Sequence, residues 1–189
     1  MQAASCRQRN GAFMAHVLKR YTILGILFVT AAGTLWHYVY DWTGRQPFIG
    51  FFFPVNESTW EHMKLVFFPM VLYALFMDKR LGRDGFCLSS ALLAGILLGT
   101  LLIPVLFYTY TGIIGTNFIA ADILVFFLSV LCAFLAVYRL ARTCRLKSCS
   151  VFLYIAVCIF FFCFLFFTYN PPGLALFEDP EGMPELYTP

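Results

Sequence analysis

Five apolar runs, each near the length of a membrane-crossing helix, leave this chain little choice of fold. They fall at about 18–40, 58–78, 86–108, 118–140 and 151–168. A helix of about 20 apolar residues crosses ~30 Å of hydrocarbon. Backbone amides in lipid must be satisfied internally, so each run is expected to be continuous helix. The alternation of a transmembrane barrel is absent. Charged residues are only 12% of the chain, and 23 Phe are more than a soluble core of 189 residues would bury. The expected fold is therefore all-α, a polytopic membrane protein in one domain: a bundle of five transmembrane helices between a tail at 1–17 and a second tail at 169–189. The first fifteen or so residues are polar, lack hydrophobic periodicity and read as a loosely ordered tail. The first span is longer than a signal-peptide core and lacks a small-residue cleavage site after Tyr38, so it reads as retained.

The charges set an orientation. Arg7, Arg9, Lys19 and Arg20, then Lys79, Arg80 and Arg83, then Arg139, Arg142, Arg145 and Lys147 make eleven of the 13 basic residues, all on alternate connections. Only Arg45 and Lys64 fall on the other side. Cytoplasmic loops carry the Lys/Arg excess, which places the N-terminus inside and, after five crossings, the C-terminus outside. The net charge of +3 is then a signature of topology, with no nucleic-acid partner implied. The basic loops are expected against anionic headgroups of the plasma membrane. None of the seven cysteines lies in an external segment, so no external disulfide is available. Cys144 and Cys149 are too sparse for a zinc site, and Cys158 and Cys163 read as small apolar packing residues.

Irregular backbone concentrates on the external side, at Val39 to Pro54, Thr109 to Asn117 and the tail from Tyr169, and a small protein built this way uses that face. In the tail, Leu174, Leu176 and Phe177 are too apolar to hang free and are expected to fold back over the bundle. Ala91, Gly95 and Gly99 recur every four residues, a spacing that lets helices approach closely, either within the bundle or in a homo-oligomer. Pro69 and Pro104 each remove a backbone donor from the outer half of a span.

One segment stands apart chemically. Pro54-Val55-Asn56-Glu57-Ser58-Thr59-Trp60-Glu61-His62-Met63-Lys64-Leu65 places two carboxylates, an imidazole, an amide and an ammonium beside hydrocarbon. Ionisable groups there cost several kcal/mol each unless paired, hydrated or held for a task. Ser58 and Glu61 have capping-box spacing, and Asn56 is an alternative cap. Glu61 and Lys64 can pair at i,i+3, Ser58 and His62 share a face, and Glu57 joins Glu61 if the helix reaches back that far. His37 and Asp41 are four apart at the outer end of the first span, with Tyr40 between them. Asp122 and Tyr169 lie at a similar depth. Asn56-Glu57-Ser58 is also a glycosylation sequon, expected to be unmodified so close to the membrane.

His37, Asp41, Glu57, Glu61 and His62 are thus expected to converge on an outward-facing pocket, with Tyr40, Asn56, Lys64, Asp122 and Tyr169 as candidate ligand-binding neighbours. Three functions fit. The cluster can be a structural tie among helices. It can supply a metal-assisted hydrolase, with a divalent metal on ligands drawn from His37, Asp41, Glu61 and His62, since a catalytic zinc needs three protein ligands and a water. It can bind and pass a cation, a proton or a small polar ligand. No HExxH spacing and no Gly-x-Ser-x-Gly elbow is present.

The run from His37 through Leu65, with Asp41-Trp42, Pro47-Phe48-Ile49-Gly50 and Pro54-Val55-Asn56-Glu57-Ser58-x-Trp60-Glu61-His62-x-Lys64-Leu65, resembles a family of small, uncharacterised bacterial integral membrane proteins. The ending Tyr169-Asn170-Pro171-Pro172, then Leu176-Phe177-Glu178-Asp179-Pro180, is similar to theirs. The resemblance implies a bacterial plasma membrane and carries no activity with it.

Overall fold

A computed structural model of the chain describes residues 2–81 and 87–179, with side chains from Ala15 onward. Arg83, placed by charge above, lies outside the described residues. Among the described residues all regular structure is helical: α1 (Gln2–Trp42), α2 (Pro47–Gly50), α3 (Thr59–Leu81), α4 (Leu88–Ile114), α5 (Ile119–Thr143) and α6 (Ser150–Phe167). Single 3-10 turns at Lys147–Cys149 and Ala175–Phe177 complete it. The first fifteen residues are not a loose tail, because α1 continues back through them to Gln2. They are rich in Ala, Gln and Arg, good helix formers, and hold no proline.

Local chemistry ends each helix. α1 stops where Gly44 and Arg45 take positive φ, and Pro47 then opens α2 at a position that needs no N–H. Ser58 Oγ accepts the Glu61 amide at 3.3 Å and starts α3. α4 runs six residues past the expected end at 108, until Gly115 closes it in the left-handed region with its N–H on the Thr111 carbonyl. Cys144 closes α5 in the same way.

α3 packs between α1 and α4, α5 bridges α4 and α1, and α6 lies outside this ring against α4. Four helices are long and apolar enough to cross a membrane: α1 from Ala15, α4, α5 and α6. The exception is α3, whose first two turns hold Glu61, His62 and Lys64. It is also the most enclosed helix, with fifteen of its 23 residues buried. A helix wrapped by protein on both sides needs no apolar outer surface, so the least hydrophobic of the long helices occupies the centre.

The small-residue stripe is closed inside the chain. Ala91 is fully buried, a Cβ on Gly95 would run into Val137, and one on Gly99 would come within 2.9 Å of Ala133 Cβ. The homo-oligomer surface expected through Ala91, Gly95 and Gly99 is therefore covered by α5 and α3, because the stripe brings α4 close to its own neighbours. Cys87 and Cys144, 57 residues apart, form a disulfide joining the start of α4 to the end of α5, a pairing that spacing alone did not suggest. In the tail, Phe177 lies against Trp60 with centroids 4.7 Å apart and Leu176 packs on the core, whereas Leu174 is exposed.

Candidate functional site

The polar segment splits into two sites on opposite sides of α3. On the side facing α6, Lys64 is fully buried and its three ammonium hydrogens have three acceptors. These are Glu61 Oε2 at 2.7 Å, Thr168 Oγ1 at 2.6 Å and the Gly50 carbonyl at 3.0 Å. Glu61 Oε2 also accepts the Val55 amide at 3.0 Å. An ammonium carries three donors and no acceptor, so Lys64 is satisfied in full. The pair ties α2, the loop before α3 and the end of α6 to one point. Glu61 does not return to the Ser58 amide, which bonds Asn56 Oδ1 at 3.1 Å instead; only half of the capping box forms.

The other side holds a cluster that fits a cation. Glu57 lies before the first turn of α3, so it does not share a face with Glu61 and turns toward α1. Its Oε1 is 3.6 Å from His37 Nε2 and its Oε2 is 3.4 Å from His62 Nε2. The two imidazole centroids are 5.4 Å apart, and one ligand atom from each residue lies within 4.8 Å of the other two. His62 Nδ1 is 3.0 Å from the Ser58 carbonyl. A carbonyl only accepts, so Nδ1 carries hydrogen and a neutral ring turns its Nε2 lone pair toward Glu57. Two acceptors then face one another and require a cation between them, a proton or a metal ion. The contacts of 3.4 and 3.6 Å run from the two separate Glu57 oxygens and are longer than the about 2.7–2.9 Å of a closed charge-assisted N–H···O bond. A backbone-anchored Nδ1–H behind a ligating Nε2 is also the usual second shell of a metal histidine.

This cluster borders a cavity of about 630 Å³ among α1, α3, α4 and α5, within the size range of small-molecule sites. Thr34, His37, Glu57, Thr59, His62, Asn117 and Asp122 give it a polar end, and Leu65, Ile103, Phe107, Ile119, Ile123 and Phe126 give it apolar walls. Asp122 accepts a hydrogen bond from the Tyr110 hydroxyl. Close packing of backbones shapes the floor. Pro69 cannot donate to the Leu65 carbonyl, and a Cβ on Gly33 would come within 2.6 Å of that oxygen.

The ten expected site residues thus separate. His37, Glu57 and His62 meet, and Asp122 lines the same cavity. Asp41, expected among them, sits one turn too far along α1. It is exposed and bound to Arg45 at 2.8 Å. Glu61 and Lys64 are committed to each other on the far side. Tyr169 donates to the Pro47 carbonyl at 2.6 Å beside Tyr40, and burial pushes its phenol up from the ordinary range, with Tyr40 adding to the rise. Six of the ten, including Asn56 on the Ser58 amide, therefore do not converge. Gly33 and Thr34, four and three before His37, were not anticipated, although helical spacing puts both on the His37 face.

The chain belongs to a family of unknown function (DUF6512), whose model matches residues 12–183. No curated protein and no solved structure matches it.

Proposed function

We propose that the protein is a metal-dependent hydrolase embedded in a bacterial plasma membrane, with a divalent cation on His37, Glu57 and His62. One observation carries the reading: two imidazole nitrogens and a carboxylate oxygen gather within 4.8 Å of one another on the wall of a cavity. Three protein ligands leave a coordination position for water, and a bound divalent ion lowers that water's pKa toward neutrality. A divalent ion held there would supply an activated water for hydrolysis of an ester-like bond, the hydroxyl going to the electrophilic centre and the water's proton leaving with the alcohol. Asp122, across the same cavity, is the candidate proton acceptor.

The membrane arrangement that suits this site has five spans, with α3 as the central one and the N-terminus inside. The Lys/Arg excess on alternate connections supports that orientation. It turns the cavity outward and lays the basic loops against anionic headgroups. Tyr38 and Trp42, stacked with centroids 5.8 Å apart at the end of α1, suit the outer interface.

The test is metal binding by purified protein, followed by calorimetry with Zn²⁺ and by the visible spectrum of Co²⁺. One ion per chain is expected. Glu57→Ala and His62→Ala should weaken binding by more than the roughly 10- to 100-fold cost of second-shell changes, while Asp41→Ala should leave it unchanged. Acidification should weaken binding, because protons compete for the imidazoles. Equal metal affinity in wild type and His62→Ala would overturn the proposal.

A further inference from the structure

From the shape of the cavity we infer that the ligand of the metal centre is a single-chain amphiphile. Its anionic head lies on the cation, and its hydrocarbon chain runs along Phe107, Ile119, Ile123 and Phe126. This rests on the metal-centre reading and adds the substrate class. The polar groups of the cavity come from the ends of α1 and α3 and from Asn117 and Asp122 at the start of α5, whereas the rest of the wall from α4 and α5 is aliphatic and aromatic. A site for a small hydrophilic substrate would not need that wall.

The rim points the same way. Ile119 and Ile123 lie one turn apart on α5, line the cavity and are 79% and 62% exposed. Tyr38, opposite on α1, also lines the cavity and is half exposed. These residues line the site and also carry exposed surface, which suits a mouth between α1 and α5. A molecule already in the leaflet reaches the cation without crossing water, and its chain stays in apolar surroundings throughout.

The experiment uses full-length protein in nanodiscs, loaded with Co²⁺, whose visible band reports coordination directly. Alkyl hydroxamates from acetohydroxamate to dodecanohydroxamate are titrated as probes, since the head binds divalent metals and only the tail varies. Affinity should rise roughly fourfold for each methylene that leaves water. Partition into the disc also favours long chains, so Ile123→Asn and Ile119→Ser are titrated in parallel. Both should keep Co²⁺ and acetohydroxamate binding while the slope against chain length falls. If one variant does not fold, its Co²⁺ band is missing and the other decides. Slopes equal in wild type and rim variants overturn the amphiphile inference and leave the metal centre standing. A wild-type protein that takes up no Co²⁺ overturns both.

Discussion

Replacing Lys64 by Met should be among the most damaging single changes in the protein, for reasons that can be worked through. The side chain keeps its length and apolar volume but loses three hydrogen bonds, to Glu61, Thr168 and Gly50. Glu61, 2% exposed, is left with the Val55 amide as its remaining donor. Breaking a buried ion pair by removing one partner costs about 3–5 kcal/mol, most of it the uncompensated charge. Glu61→Gln combined with Lys64→Met removes that charge, and Gln can still accept from Val55. The double variant should recover about half or more of the loss, a strongly non-additive cycle. Unfolding by SDS in mixed micelles, followed by tryptophan fluorescence, measures this, because Trp60 is packed between Phe164 and Phe177 beside the pair. Co²⁺ binding should persist in the folded fraction of every variant. A Lys64→Met protein within about 1 kcal/mol of wild type, or a double variant as unstable as the two singles added, would refute the reasoning.

Gly33→Ala puts a methyl against the Leu65 carbonyl and Phe126, which should cost about 1–3 kcal/mol as overpacking and weaken the metal site; thermal unfolding and Co²⁺ titration check both. Tyr169 has a folded pKa raised above its unfolded value, so its contribution is complete below about pH 10 and is lost as pH rises through the folded value. Tyr169→Phe should cost about 1 kcal/mol near neutrality, and the gap in melting temperature from wild type should narrow above pH 10. With the basic end in a reducing cytosol, Cys87 and Cys144 should be thiols in living cells and a disulfide after purification in air. Alkylation trapping before lysis checks this, and a disulfide trapped in cells would reverse the assigned orientation.

The long helices were legible because long apolar runs follow one simple rule, whereas the run of α4 past 108 to the Gly115 cap and the short α2 at Pro47 were not. Lys64 with Glu61 was legible from i,i+3 spacing. What spacing could not supply was the state of Glu57. Four residues before Glu61, it reads as a helical neighbour, yet the cap at Ser58 ends the helix first and frees Glu57 to turn the opposite way. Asp41 failed for a related reason: sharing a face with His37 does not place it at the same depth, and Arg45 was available one turn on. The Cys87–Cys144 pair depended on how α4 and α5 meet, which no local pattern records.

The position of α3 follows from a rule that could be applied before any coordinates. A span with polar groups on one face can sit at the edge of a bundle, with that face turned inward. Here Glu61 and Lys64 point one way, Glu57 and His62 point another, and both directions must be kept from hydrocarbon. Only a helix with protein on both sides meets that demand, so the least apolar of the long helices has to be central. The two polar faces then differ in one respect. The Glu61–Lys64 face saturates its own donors and acceptors and needs nothing more. The His62 face brings an imidazole nitrogen to a carboxylate, with a cavity beside it. A polar cluster that satisfies itself is a structural tie, whereas one open to a cavity has room for a ligand. On that ground the functional candidates are His37, Glu57 and His62, and Glu61 and Lys64 are what hold them in place.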